Sequence, residues 1–600
     1  MATRDITEGR GSSTASIGRS IAIDLGIVSS TSTWQNTNES YDVAVGGLPF
    51  FYAISDERPY IRQTAPFRKE QSDIGTEPGE QSLTGFWLRS QSSFHNGTGI
   101  KFYDPSAGET VNYRFADSDN VDVWTKGQVT LLKETTNTVS SGIYKLISGV
   151  SGGTDVAISF IPGSTTLKDV KADATTLTTY ATTASAIVDI VTNGTTLFVA
   201  NATRIFYQTI GATGALNNHY TTGTAAVKMG WVKQRLVAGI GTSIYELTGA
   251  LGTTTLPTAI YTHPNTGWTW TSISEGGSAI YAAGYAGGTS AIYKFVLSTA
   301  GVMPTLTSGI VAAQLPIGEI VYKIESYLGY LMIGTNKGMR VASISDTTGD
   351  LSYGPLIFED TNGVYDFAFR DKYVWATGTI GTSPGLYRID LGTEIESLRF
   401  AYAKDTYLSG ATGYATSVDF IGNTNQLAFT TSGSNGIAIQ STTVLASSGS
   451  ITTGKIRFST LEPKNYKRLI GRGTFTSGEF TLSSLATETT GVETQYNHIT
   501  YNLGVDAVEV TTSQPEIAQE FLAYKFTLDR DATDTTTGPI FKGYQAKATI
   551  ASPRNRVIKF PVYCFDVETD RFNTVVGFEG RAFERIQLLE EIEKTGDVLT

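Results

Sequence analysis

Apolar residues along this chain come in short bursts bounded by Gly, Asn, Ser and Thr, and runs with helical periodicity are nearly absent before residue 580. Short apolar or alternating runs closed by turn residues predict strands joined by tight turns. The clearest stretch is AIVDIVTNGTTLFVANATRIFYQ, Ala186 to Gln208, in which IVDI and LFVA flank Asn193-Gly194. Asn-Gly accepts the positive φ angles of a two-residue hairpin turn, so these two runs should pair. Related strand–turn–strand copies start at Ala225, Trp270, Val321, Val364 and Thr416.

The second strand of each copy serves as a ruler. Its markers are Leu197, Leu236, Ile280, Leu331, Val374 and Leu427, with a weaker copy centred on Val156 in TDVAISF. The mean step is about 45 residues, which is the length of one four-stranded propeller blade. One blade cannot bury both of its faces, whereas a closed ring of blades buries them all and leaves only short edges. The chain is therefore expected to be all-β, with a central β-propeller of about seven blades over 121–463. Rings of six or eight blades stay open on this step, and a tandem of β-sandwiches with accidental spacing is the weaker alternative.

The flanks differ from the repeats. Residues 1–40 are polar and read as a flexible arm with one strand at 20–25 (SIAIDL). Residues 41–120 are aromatic and turn-rich, and prolines at 49, 59 and 66 preclude a long helix there. This region reads as extended chain that docks on other proteins; the alternative is that its aromatics pack back onto the propeller rim or the sandwich of the same chain. Its candidate interface is Phe50, Phe51, Tyr52, Phe67, Phe86, Trp87, Phe94, Phe102 and Tyr103. Past residue 463 the period is lost, and 464–600 reads as a β-sandwich ending in a helix over 581–594. In that helix Phe583, Ile586, Leu589 and Ile592 form one apolar face, and Gly596 caps its end.

Composition narrows the function. The net charge of −11 argues against nucleic acid, because phosphate binding needs surplus Lys and Arg. Cys564 is the single cysteine, so no intramolecular disulfide forms. The opening MATRDITEGR lacks the apolar core of a signal peptide, and no apolar run approaches a membrane span. Synthesis and folding in a reducing cytosol are expected. His95, His219, His263 and His498 lack zinc spacing and read as turn or surface residues. Asp529, Asp531 and Asp534 are a faint cation candidate, better read as an acidic loop. No cofactor, metal or catalytic constellation is evident. Tyr261, Trp268 and Trp270 gather near one blade and carry two readings, a saccharide platform or blade core.

Two stretches carry a family resemblance. QTAPFRKEQSD (from Gln63) with EPGEQSLTGFWLRSQSSFHNGTGIKFYDP (Glu77 to Pro105), and GPIFKGYQAKATIASPRNRVIKFPVYCFD (Gly538 to Asp566), resemble minor tail proteins of siphophages infecting actinobacteria. The resemblance implies a virion component of the tail tip or baseplate, folded in host cytoplasm and released by lysis. It implies other tail proteins as partners (hub and distal tail), further copies of the same chain, and attachment to a host surface through a bacterial cell-surface glycan. The rival readings are a propeller glycosidase or lyase, which needs carboxylates converging in the central funnel, and a lectin.

Overall fold

The computed structural model describes most of residues 85–550, together with the backbone of short strands at Val43–Val45, Leu48–Ser55, Arg58–Arg62, Phe67–Arg68, Glu568–Thr569 and Val575–Gly577. The strand expected at 20–25 and, Gln587 apart, the helix expected over 581–594 lie outside the described residues. The described part is all-β.

Seven consecutive sheets build the centre, antiparallel throughout but for one short parallel pair, Thr178–Thr182 with Gly214–Ala215, at the outer edge of the first. Sheet 1 begins at Lys145–Ser151, sheet 2 at Ile187–Thr192, sheet 3 at Val227–Val232 and sheet 4 at Thr269–Gly276. Sheet 5 begins at Val321–Tyr327, sheet 6 at Phe367–Arg370 and sheet 7 at Ala415–Phe420. In every sheet the first strand lies at one end of the strand order and pairs only with the second. The seven ruler residues each fall on the second strand of their own sheet, and all are at most 3% exposed. Seven apolar clusters lie between neighbouring sheets, from the pair 1–2 (Val156, Leu167, Leu197, Val199) round to the pair 7–1 (Leu146, Ala157, Ala428, Ile437). Sheets that bury both faces against neighbours and meet end to end form a closed β-propeller. Sheet 7 is completed by Lys133–Val139, which precedes sheet 1 in the chain and pairs with Ile437–Leu445.

Of the remaining strands, some form one three-stranded and two two-stranded sheets, and ten form two facing five-stranded sheets. One orders Thr494–Tyr501, Glu479–Ala486, Ala523–Asp529, Ser448–Thr452 and Asp117–Asp119. The other orders Phe67–Arg68, Gly85–Gln91, Ile540–Ile550, Lys464–Thr474 and Ala507–Val510. Phe480, Leu482, Phe526 and Leu528 of the first share one buried core with Trp87, Leu469, Phe541 and Tyr544 of the second. The expected boundaries therefore move. The ring occupies 133–445, and both 117–131 and 448–452 belong to the sandwich. The physical reason is that the closing strand KETTNTV carries almost no apolar signal, so the repeat could not locate where the ring begins.

The ring is thus an insertion within the sandwich. Its entrance and exit touch: Lys133 pairs with Leu445, and the Ala446 N–H donates to the Leu132 carbonyl at 2.8 Å. Sheet 6 rests on the sandwich. Ala401 and Ala403 join the sandwich core, Trp124 packs on Tyr373, and Lys404 pairs with Asp117 at 2.7 Å.

Candidate functional site

The first strands surround the axis of the ring, and each leaves one edge without a strand partner. Such an edge must satisfy its N–H and C=O groups by other means. Here side chains of one sheet serve the backbone of the next. Asp189 accepts from the Met229 N–H at 2.8 Å, and Asp366 accepts from the Val418 N–H at 3.4 Å. Ser417 accepts from the Leu146 N–H at 3.1 Å, and the Ser272 hydroxyl donates to the Ile324 carbonyl at 3.0 Å. In each pair the partner lies one residue past the equivalent position of the next sheet. This register defines a first level around the channel: Lys145, Asp189, Lys228, Ser272, Lys323, Asp366 and Ser417. A second level follows the same rule two residues on. Ser274 accepts from the Ser326 N–H at 3.0 Å, and Asp419 accepts from the Ser148 N–H at 2.6 Å.

The charges at the first level do not cancel. Lys323 is held by Asp366 at 3.0 Å and by Glu325 of the second level at 3.2 Å. Burial lowers its pKa, but the two carboxylates outweigh that and hold it above the ordinary lysine value. Lys228 faces Asp189 at 3.9 Å. Lys145 meets no carboxylate at ion-pairing distance among the described residues. The like charge of Lys228, with burial, pulls it down to about 8 against the attraction of Asp189 and Asp366. Deeper in the channel, burial pushes the Asp419 carboxyl up to about 7 despite the Ser148 and Phe420 N–H groups, with Asp366 and Glu325 adding to the rise.

Three tyrosines stand where the first strands of sheets 5, 6 and 7 begin. Tyr322 stacks on Tyr365 with centroids 4.6 Å apart, and Tyr365 on Tyr414 at 5.3 Å. All three are partly exposed. The mouth of the channel thus carries a tyrosine ladder immediately before the charged level.

The residues singled out from sequence lie elsewhere. Tyr261, Trp268 and Trp270 are 4%, 6% and 3% exposed and fill the core between sheets 3 and 4. They are no saccharide platform. The indole N–H groups of Trp268 and Trp270 meet no acceptor atom among the described residues. They sit instead among perpendicular rings, Trp268 at 89° and Trp270 at 79° to Tyr293, a setting in which ring faces can accept weakly. Trp87, Phe94 and Tyr103 are at most 4% exposed and belong to the sandwich core, so they are not a docking interface. Their aromatic density served the chain's own fold. Phe102 stays 38% exposed, edge-on to Phe521. The side chains of Phe50, Phe51, Tyr52, Phe67 and Phe86 lie outside the described residues.

Among the histidines, His219 is no surface residue: it is 2% exposed beneath Phe198 and Tyr220, with Nδ1 3.1 Å from the Thr253 carbonyl oxygen. His95 and His263 are half-buried, and the His498 side chain lies outside the description. Asp531 and Asp534 accept N–H groups of their own loop, from Thr533 and Thr536 among others. The channel residues were missed, although a signal exists. Each first strand, or in sheet 6 the residue just before it, carries a Lys, Asp or Ser followed by an apolar residue, as in YKLI, VDIV, VKMG, TSIS, YKIE, YDFA and TSVD.

No family model matches the chain, and no curated protein matches it. Among solved structures it is similar to the beta-propeller domain of Myceliophteria thermophila Cps50 (Swd1), at 14% identity and a TM-score of 0.35, covering 52% of this chain and all of that one. It is also similar to the WD40 beta propeller domain of Doa1, at 14% identity and a TM-score of 0.36, covering 52% of this chain and 96% of that one. At these values the likeness carries no argument, and the ring rests on its own sheet order and packing.

Proposed function

We propose that this chain is a structural and host-attachment protein of a phage tail tip or baseplate, with the sandwich as its base and a closed seven-bladed propeller as the presented head. The observation that carries this reading is the meeting of the two stretches that resemble minor tail proteins. Gly85–Gln91, from the first, pairs antiparallel with Ile540–Ile550, from the second, in register from Trp87 opposite Ala548 to Gln91 opposite Tyr544. Segments about 450 residues apart in sequence thus build one sheet, which fits a single shared module rather than two coincidences. The sandwich would contact other tail proteins and further copies of the chain.

The glycosidase reading needs an acid and a base placed across one bond. Glu325, Asp366 and Asp419 do gather in the channel. Yet Glu325 and Asp366 share the Lys323 ammonium, and Asp419 is held by two backbone N–H groups. That arrangement favours a binding channel over a hydrolytic one. The test is to purify particles from cells making the phage with and without an intact copy of this chain. The expected result is that the chain is found in normal particles by mass spectrometry and that particles lacking it fail to assemble or to adsorb. Normal, infective particles without the chain would overturn the proposal.

A further inference from the structure

The first level of the channel holds three ammonium groups and two carboxylates, and both carboxylates are already engaged. Asp189 serves the Met229 N–H and Lys228, while Asp366 serves Lys323, the Ser417 hydroxyl and the Val418 N–H. Lys145, set on this level by the Leu146 N–H bond to Ser417, is left without a carboxylate at ion-pairing distance among the described residues, and within a ring of sheets water screens charge less than it does at an open surface. An ammonium in that position gains more from an incoming anion than an exposed lysine does, and its three donors meet no hydrogen-bond acceptor among the described residues. At the mouth, Tyr322, Tyr365 and Tyr414 present aromatic surface and hydroxyl edges together, the combination that suits a small ring carrying its own hydroxyl groups. Water reaches this level: the Lys323 and Lys228 side chains are 33% and 29% exposed.

We propose that the channel binds an acidic sugar, with its carboxylate on the Lys145 ammonium and its ring against the tyrosine ladder. The carboxylate half stands on the channel geometry. The sugar half rests on the attachment reading given above. A neutral sugar would leave the Lys145 ammonium without a counter-charge at ion-pairing distance. A simple carboxylate would satisfy Lys145 but forgo the tyrosines.

The test uses the full chain, with glucuronate as probe and glucose and acetate as controls. Binding is followed by calorimetry, and exposure of Lys145 by amine acylation with peptide mass spectrometry. Glucuronate should bind and slow acylation of Lys145 by about tenfold, whereas glucose should not and acetate should bind about tenfold more weakly. Lys145→Met should abolish glucuronate binding, Lys145→Arg should keep it, and Tyr365→Ala should weaken glucuronate binding without changing that of acetate. Thermal melting of each variant establishes that the ring remains folded. No protection by glucuronate, equal binding of glucose or acetate, or full binding by a folded Lys145→Met protein would each overturn the proposal. The tail reading is judged separately by the presence of the chain in particles, so either can fail alone.

Discussion

A carboxyl that keeps its proton close to neutrality ties the stability of the ring to pH. Asp419 ionises near 3.9 in an unfolded chain but is held up to about 7 by burial in the channel. Between those values the folded state retains a proton that the unfolded state has lost. Stability contributed at this site is therefore fully present below the unfolded value and falls as pH rises through about 4 to about 7. Asp419→Asn has nothing to titrate there. The variant should gain melting temperature relative to the parent between about pH 4 and about pH 7, because only the parent's unfolded state is then stabilised by losing a proton that its folded state keeps. The Asn side chain offers one acceptor oxygen in place of two for the Ser148 and Phe420 N–H groups, so the variant is expected to start lower at acid pH. Melting curves across this range check it, and a constant difference would mean that Asp419 ionises as an ordinary surface carboxyl.

At the scale of single elements, the closing strand Lys133–Val139 decides whether the ring has an edge. Without it, Ile437–Leu445 would present a row of unpaired backbone groups that invites strand pairing between molecules. A propeller fragment beginning at residue 140 should self-associate on size-exclusion chromatography, whereas one beginning at residue 133 should run as a monomer. Monomeric behaviour of both would show that this strand does not seal sheet 7. The same strand marks the limit of what could be read from sequence. Leu197, Leu236, Ile280, Leu331, Val374 and Leu427 were legible because a fully buried second strand must be apolar in every sheet. The outer strand faces water on its edge and tolerates KETTNTV, so it left no pattern. The aromatic run 86–103 was legible as interface-forming but not as to what it faced. Its partner strand, Ile540–Ile550, lies at the other end of the chain, and no local pattern reports a pairing that distant. The channel was overlooked for a different reason: a polar residue inside an apolar strand reads as noise in one copy and as a lining only when seven copies are superposed.

For the whole molecule, the insertion predicts that the two bodies can be separated. The entrance and exit of the ring are already hydrogen-bonded neighbours at Leu132 and Ala446, so a few glycines can span the gap left by removing 134–444. The shortened chain should still fold into the sandwich, seen as a cooperative melt and a β-type circular dichroism spectrum. It would expose the patch at Trp124 that now meets Tyr373 of sheet 6. An unfolded product would show that the sandwich depends on the ring. The insertion also imposes an order on events at the ribosome. Strand Gly85–Gln91 is made early, but its neighbour Ile540–Ile550 follows about 450 residues later, roughly 20–90 s at ordinary rates of synthesis. The ring, whose sheets are each local in sequence, can form sheet by sheet during that interval. Meanwhile Trp87, Phe94 and Tyr103 wait without the strands that will cover them, an exposed apolar segment on the nascent chain for as long as translation lasts. Slowed translation or scarce chaperones would therefore tell first on the yield of complete protein, through three aromatic side chains that the finished molecule keeps out of sight.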